Sequence, residues 1–248
     1  MSYPAWTYDE LAFPQLNVAS DFIGQNTGGS ISVDTPALRG GVACAVVPKN
    51  RLIELTVQDD YLTSNISTAD GCGNSGLNDQ PLHWLTYDIK VPANSGYFGA
   101  SLPRGFGPAT CPAVTLYYGH ISNNTLDYFA AISCTQYLER VQSTLIIDLP
   151  SLSISSPPTV HSGSSVNFSS WYPQLPDFQV LGLGSTKDEQ LDNTFNAMVY
   201  GRDGVAAAEL LNNTQLIKSY THLYRLYMAQ VANIYLRAKL SAIPNDSS

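Results

Sequence analysis

The clearest alternation of apolar and polar positions lies between residues 111 and 150. Two runs rich in β-branched and aromatic residues, 113–119 and 126–133, flank a polar segment at 120–125. Two such runs around a short polar segment are typical of a β-hairpin. Alternation resumes at 141–149, which predicts a third, half-buried strand after the hairpin.

The hairpin also suggests how the cysteines pair. If the strands pair about the centre of the polar segment, Cys111 lies opposite Cys134. Directly opposed residues in antiparallel strands have Cα atoms close enough for a disulfide. We therefore predict a Cys111–Cys134 disulfide, which leaves Cys44–Cys72 as the second pair.

Other short runs complete a β-rich first part of the chain. Strands are predicted at 42–47, 51–57, 82–91 and 178–181, the first two as a hairpin. Residues 1–40, 59–79, 94–108 and 151–170 are rich in Gly, Pro, Ser or Asn and are predicted to be irregular.

The period of the pattern changes at Ser185. Thr186 and Glu189 form a capping-box pattern, which predicts a helix that begins at Thr186 and ends at Gly201. A short helix over 205–211 and a long one over about 214–242 follow. The long helix carries an apolar stripe: Leu216, Tyr220, Leu223, Tyr227, Val231, Ile234 and Ala238.

A second face of the long helix is also apolar. Tyr224, Leu226, Met228 and Tyr235 lie off the main stripe. A helix with more than one apolar face packs on several sides or pairs with a partner. We expect either a second layer supplied by residues 1–40 or a homo-oligomer formed through this helix.

Strands followed by helices favour the α+β class. We predict an antiparallel β-sheet or sandwich over about residues 1–183, followed by a C-terminal helical segment packed on it. The whole chain, 1–248, is expected to form one extracellular domain with a β-rich part at 1–184 and a helical part at 185–243.

Composition excludes some partners. Charged residues make up only 13% of the 248 positions, against about 25% in an average soluble domain. The net charge is −8, and no cluster of Lys or Arg occurs, which argues against nucleic acid and anionic membrane surfaces as partners. No apolar run reaches the roughly 18–20 residues of a membrane span.

The cysteines and the Asn-X-Ser/Thr sequons indicate the secretory pathway. The four cysteines include no CxxC motif and fit two disulfides in an oxidising compartment. N-glycosylation sequons start at Asn65, Asn123, Asn167, Asn212 and Asn245. Because the chain begins without a signal-peptide pattern, we expect either a processed signal or a lumenal segment cut from a longer membrane protein.

Several short motifs resemble the extracellular domain of the fungal DUF3433 family of multi-pass membrane proteins. They are Leu11 to Leu16, Tyr97-Phe98-Gly99, Cys111-Pro112, Tyr118-Gly119, Cys134-Thr135-Gln136, Leu149 to Pro158 and Tyr227 to Asn233. The resemblance implies an extracellular or lumenal domain between transmembrane segments and supplies no catalytic residues. The chain departs from the family at Thr159-Val160-His161, where an Asp is expected.

Motifs of known chemistry do not occur in the sequence. There is no GxSxG nucleophile elbow and no HExxH, and the four histidines are far apart in sequence. Oxygen side chains at Asp70, Asn74, Asn78 and Asp79 share one segment, but their spacing matches no calcium loop. We therefore predict no catalytic, cofactor-binding or metal-binding residues.

One aromatic pair has two interpretations. The hairpin register above places Tyr117 opposite Tyr128, and such a pair would form a stacking platform for carbohydrate. The alternative is packing between the sheet and the C-terminal helix, since cross-strand aromatic pairs stabilise sheets in any case.

The function that these patterns favour is that of a non-catalytic, glycosylated, disulfide-bonded ectodomain with a binding, adhesion or structural role at the cell surface. Its expected partners are N-linked glycans and either cell-wall polysaccharide or another protein. The alternative is a secreted hydrolase of cell-wall glycans or esters, with the aromatic and Gly-rich segment 94–108 lining a cleft.

Overall fold

The computed structural model describes residues 6–15, 28–58, 61–67, 84–92, 94–103, 112–149, 151–168 and 187–233. Most of these residues form antiparallel strands, and helices follow the strands, so the predicted α+β class is confirmed. The strands are β1 Thr7–Tyr8, β2 Leu11–Ala12, β3 Ser30–Val46, β4 Leu52–Gln58, β5 Tyr61–Ser67, β6 Trp84–Lys90, β7 Gly96–Pro103, β8 Val114–Ser122, β9 Thr125–Asp148, β10 Ser153–Ile154, β11 Thr159–Val160 and β12 Val166–Phe168.

The described strands form two sheets. The larger follows the order β1-β2-β3-β9-β8-β7, and β10, β11 and β12 each pair with β9. The smaller sheet has the order β4-β5-β6. The 42–47 and 51–57 runs were predicted to pair with each other, and this is wrong because β3 and β4 belong to different sheets.

Strand β9 is much longer than the pattern suggested. The third strand predicted at 141–149 is the continuation of β9 without a break. No Gly or Pro interrupts residues 125–148, and alternate side chains stay buried along the strand. Because no residue in this segment interrupts the pairing, β9 continues as one strand. Its first half pairs with β8, and its second half pairs with the short strands β10 to β12.

Segments predicted to be irregular contain strands. Segment 1–40 holds β1, β2 and most of β3, segment 59–79 holds β5, segment 94–108 holds β7, and segment 151–170 holds β10 to β12. Turn-forming residues suggested loops at these positions, but partner strands impose extended structure on them. The predicted strand at 178–181 lies outside the described residues.

The hairpin of β8 and β9 is confirmed, but its register differs from the prediction by three positions. Its turn contains only Asn123 and Asn124, which have φ of 50° and 61°. Positive φ at both turn positions matches the twist of the flanking strands, and Asn tolerates this region better than most residues. Val114 therefore lies opposite Cys134, and Tyr117 lies opposite Ala131 rather than Tyr128.

The predicted Cys111–Cys134 disulfide is wrong. Cys134 is instead bonded to Cys44, 90 residues away in sequence, and this bond joins the neighbouring strands β3 and β9. The predicted Cys44–Cys72 pair is excluded by the same bond. Cys72 and Cys111 both lie outside the described residues.

In the described part of the chain, two helices follow the strands, α1 at Asn193–Tyr200 and α2 at Asn213–Val231, and 3₁₀ turns occur at Lys49–Arg51 and Ala207–Leu211. The sequence pattern predicted Thr186 as the N-cap of α1, and the observed N-cap lies six residues later. That N-cap is Asp192, which accepts a hydrogen bond from the Phe195 amide, whereas Thr186 lies outside the described residues. Gly201 ends α1 as predicted.

The described part of the main stripe of α2 is buried, and on the second face Tyr224 and Met228 are buried while Leu226 is half-buried. Leu216, Tyr220, Leu223, Tyr227 and Val231 of the predicted stripe are all buried. On the second face, Tyr224 and Met228 lie against Gly40, where an added Cβ would come within 3.0 Å of both side chains. This contact corresponds to the expected layer from residues 1–40. Residues beyond 233 lie outside the described part.

The chain divides into two compact units. The first unit comprises residues 1–41, 137–171 and 222–248, and the second comprises 42–136 and 172–221. The core of the first unit contains Leu11, Phe13, Ala37, Val141, Leu145 and Ile147. The core of the second contains Val47, Leu62, Ile66, Ile89, Val91, Phe98, Tyr117, Ile121 and Ala131.

Asp192 links α1 to β7 in the second unit. Its Oδ1 accepts from the Phe195 amide at 2.9 Å, and its Oδ2 accepts from the Ser101 hydroxyl at 2.6 Å. Burial raises the pKa of this carboxyl, although the hydrogen bonds from Ser101 and Phe195 act in the opposite direction. A raised pKa means that the folded state holds the proton to higher pH than the unfolded chain does.

Replacing Asp192 with Ala is expected to lower the free energy of unfolding by about 1–3 kcal/mol, because a helix cap and the acceptor for Ser101 are both lost. The raised pKa also predicts that the wild-type contribution of Asp192 falls as pH rises above about 4. Urea unfolding at several pH values measures both effects. The Glu189→Ala control removes an exposed carboxylate and should change stability by less than about 0.5 kcal/mol.

Candidate functional site

A row of ring side chains crosses three strands of the second unit. Tyr97 on β7 pairs with His120 on β8, and His120 pairs with Tyr128 on β9. Paired residues of adjacent strands point to the same face of a sheet. We call Tyr97, His120 and Tyr128 the ring row. The ring centroids of Tyr97 and His120 are 4.6 Å apart.

A β-bulge adds a carboxylate to the ring row. The register shifts between His120 and Ile121, because β9 carries one extra residue, Asp127, at this point. A bulge places two residues of one strand opposite a single residue of the other and redirects a side chain. Asp127 consequently contacts His120, with both carboxylate oxygens 2.9 Å from Nδ1.

The hydrogen bond between Asp127 and His120 determines which nitrogen of the His120 imidazole carries the proton. A carboxylate accepts the Nδ1–H, so Nε2 is the nitrogen left for further donors or acceptors. The side chain of His120 is 24% exposed and that of Asp127 is 48% exposed. The ring row therefore combines half-exposed rings with a polar pair in contact with water.

The next row of the same sheet face is covered. Gly99 pairs with Tyr118, and Phe195 of α1 lies over both. The rings of Phe195 and Tyr118 are stacked, with centroids 5.1 Å apart and planes 7° apart. The Tyr118 hydroxyl donates to the Ala207 carbonyl at 2.8 Å, and burial raises its pKa. The ring row is the half-exposed continuation of this covered face.

The end of the ring row on β9 is fixed by α2. The Tyr128 hydroxyl donates to Oδ1 of Asn213, the first residue of α2, at 3.1 Å. Burial raises the pKa of Tyr128. Part of the expected packing between the sheet and the C-terminal helix is therefore present at Tyr128. Tyr117 is fully buried in the core of the second unit.

The hairpin turn that carries Asn123 stands beside the start of β7. The Asn123 amide donates to the Ser95 hydroxyl at 3.0 Å, and the Asn124 amide donates to the Asn94 carbonyl at 3.0 Å. Asn123 and Thr125 are both exposed. The sequon thus lies in an exposed turn whose backbone is hydrogen-bonded to the segment before β7.

The other sequons have different surroundings. Asn212 is exposed, and its Oδ1 caps α2 by accepting from the Thr214 amide at 2.9 Å. Glycans attach to the side-chain nitrogen, so capping by the oxygen does not compete with them. Asn65 is in β5 and Asn167 is in β12, while Asn245 lies outside the described residues.

A second polar cluster lies in the first unit. The Thr144 hydroxyl is 2.8 Å from Nε2 of His161 and donates to Oδ1 of Asp34 at 2.6 Å. In a catalytic triad the carboxylate binds the second nitrogen of His, and Nε2 accepts the proton of the nucleophile. Here the hydroxyl proton points to the carboxylate instead. His161 then serves as a donor, so this cluster does not activate Thr144.

No metal site occurs among the described residues, since none of their His, Cys, Asp and Glu side chains form a group of three that could hold an ion. The segment with Asp70, Asn74, Asn78 and Asp79 lies outside them. The residues 96–103, expected to line a cleft, form strand β7 and pair with β8.

Comparisons with known proteins give no functional assignment for the chain. No protein-family model, no curated protein and no solved structure matches the chain. None of the helices in the described ranges is long and apolar enough to cross a membrane.

Proposed function

We propose that the chain is a non-catalytic, disulfide-bonded and N-glycosylated ectodomain with a binding, adhesion or structural role at the cell surface. The Cys44–Cys134 disulfide carries this proposal. Disulfides persist in extracellular and lumenal compartments and are rare in the cytosol. The bond joins adjacent strands in the second unit, so the oxidised form belongs to the folded state.

The sequons support the same compartment. Asn123 occupies an exposed, ordered turn, and Asn212 is exposed at the start of α2. Surface asparagines in such positions suit glycan attachment in the secretory pathway. The resemblance to the fungal DUF3433 family agrees with this location and would place membrane-spanning segments beside the domain. Full-length gene sequencing tests that part of the proposal.

The hydrolase alternative has weaker support. Its one favourable observation is the contact between Thr144 and His161, and the Asp34 carboxylate takes the proton that a nucleophile would have to give to His161. The polar clusters of the described residues therefore favour a binding role. Assay of the purified domain on wall polysaccharides and ester substrates separates the two functions, and turnover on any substrate would favour the hydrolase.

The proposal predicts glycan attachment at Asn123. When the chain is expressed behind a secretory signal in a eukaryotic host, the product should carry a glycan there, detected by mass spectrometry and removed by peptide N-glycosidase. Asn123→Gln and Thr125→Ala should each lose this glycan. Asn124→Gly is the matched control, since it keeps the sequon and suits the φ of 61°. Secretion of a fully unglycosylated, reduced protein would contradict the proposal.

A further inference from the structure

We propose that the ring row of Tyr97, His120 and Tyr128, together with Asp127, binds a neutral hexose chain carried by another molecule. This inference rests on the proposed extracellular binding function and names a ligand class for it. The site lies entirely in the second unit, on strands β7, β8 and β9.

The shape of the site favours flat rings. Tyr97 and Tyr128 are on the two strands that flank β8, so their backbones are separated by about 10 Å, twice the spacing of paired strands. That span accommodates more than one sugar ring. On the same face, Phe195 already lies flat on Tyr118 with the two planes 7° apart. A sugar ring presents an apolar C–H face that contacts a tyrosine ring in the same manner.

The polar groups of the site favour hydroxyls. Hydroxyl groups of a hexose both donate and accept hydrogen bonds. The Asp127 carboxylate accepts them, and the imidazole of His120 adds a second polar contact. Asp127 and His120 already bind each other through Nδ1, but a purely apolar ligand would cover the remaining lone pairs of the carboxylate and the Nε2 atom of the imidazole without offering them a partner, which is unfavourable. Binding sites commonly combine ring side chains with a small number of well-placed polar groups in this way.

Charge excludes the other ligands that stack on aromatic rings. Nucleic acids and acidic polysaccharides carry anionic groups. The site holds the Asp127 carboxylate, and the whole chain has a net charge of −8. Repulsion therefore disfavours anionic ligands at this face. A neutral hexose chain retains the stacking and hydroxyl chemistry without that cost.

The β-bulge in β9 explains why Asp127 lies beside the ring row. Regular pairing of β8 and β9 would alternate Asp127 and Tyr128 between the two faces of the sheet. The extra residue brings Asp127 to His120 while Tyr128 stays paired with His120. Bulges are common beside functional sites because they redirect a side chain at the expense of a ladder hydrogen bond.

The test measures binding of two neutral hexose probes, laminarihexaose and cellohexaose, by isothermal titration calorimetry. An anionic probe, hexagalacturonate, is measured beside them. We expect at least one neutral probe to bind and the anionic probe to bind at least tenfold more weakly. Tyr97→Ala should weaken neutral binding at least tenfold, and Tyr97→Phe, which keeps the ring, should stay within about threefold.

The matched control is Tyr61→Ala. Tyr61 is a more exposed tyrosine of the same unit, on β5, and is 48% exposed. Its removal should leave binding within twofold of wild type. Thermal unfolding of every variant separates loss of the site from loss of the fold. Equal weakening by Tyr61→Ala and Tyr97→Ala, or binding of none of the probes, would overturn the proposal.

The glycan of Asn123 is the competing occupant of the ring row. Wild-type protein and Asn123→Gln are therefore compared. Equal binding by both supports a ligand from another molecule, whereas binding by Asn123→Gln alone assigns the row to the glycan of the chain itself and overturns the proposal. If a correctly glycosylated and disulfide-bonded protein binds no probe, only the hexose proposal fails and the extracellular function stands.

Discussion

Replacing Cys134 with Ala is expected to lower the free energy of unfolding by about 2–5 kcal/mol. The Cys44–Cys134 bond closes a loop across a sequence separation of 90 residues. Cross-linking so long a loop removes many conformations from the unfolded chain, although the division of the effect between entropy and enthalpy depends on the model used. Cys134 is also fully buried, so the variant loses packing as well as the bond.

Guanidinium unfolding without reductant measures this effect. The double variant Cys44→Ala/Cys134→Ala is the main control, since it removes the same bond without leaving a single thiol. Its stability should lie within about 1 kcal/mol of Cys134→Ala, because contacting residues that act through one bond are not additive. Wild-type stability in Cys44→Ala would contradict the assigned pair.

The second large effect is expected for Phe195→Ala, which should lower the free energy of unfolding by about 3–5 kcal/mol. Phe195 is fully buried and joins α1 to the sheet of the second unit. Its ring rests on Gly99, where an added Cβ would be 2.6 Å from the ring. Truncation to Ala leaves a cavity that the β-sheet cannot close.

A double-mutant cycle with Gly99→Ala tests that contact. Gly99→Ala should destabilise the wild type, because the new methyl group collides with the Phe195 ring. The same change should cost less in Phe195→Ala, where the methyl group enters the cavity. Tyr200→Ala, an exposed position at the end of the same helix, is the control and should change stability by less than about 1 kcal/mol. Additive costs at Gly99 and Phe195 would show that the ring does not pack there.

The sequence predicted those elements whose pattern is local. Alternation in 113–119 and 126–133 predicted the β8–β9 hairpin, and the apolar stripe of α2 identified residues that are buried. Gly201 ended α1 as expected because a helix stop depends on one residue. Strands β5 and β7 were missed because glycines and polar residues there resemble loops, and only pairing with distant strands makes them extended.

The disulfide was predicted incorrectly because the length of the hairpin loop was predicted incorrectly. The sequence suggested a six-residue loop, but two asparagines with positive φ close the hairpin on their own. That difference moves the register by three positions and places Val114, instead of Cys111, opposite Cys134. Pairing of Cys134 with Cys44 depends on which strand flanks β9 on its other side, and local periodicity contains no information about that.

The candidate site was predictable only in part. Tyr128 was expected to contribute to a stacking surface, but with Tyr117 as its partner. Tyr97 and His120 were not recognised because their relation depends on pairing between three strands. The β-bulge at Asp127 leaves no signal in the sequence, and it is the feature that brings the carboxylate to His120.

Non-reducing peptide mapping of the secreted protein tests the account most directly. Trypsin alone is insufficient, since Cys111 and Cys134 both lie between Arg104 and Arg140. Added chymotrypsin separates them by cleavage after Tyr117, Tyr118 and Tyr128. The structure predicts a linked pair in which the peptide with Cys44 is joined to the peptide with Cys134. A link between the peptides with Cys111 and Cys134, or four alkylatable thiols in the secreted protein, would contradict it.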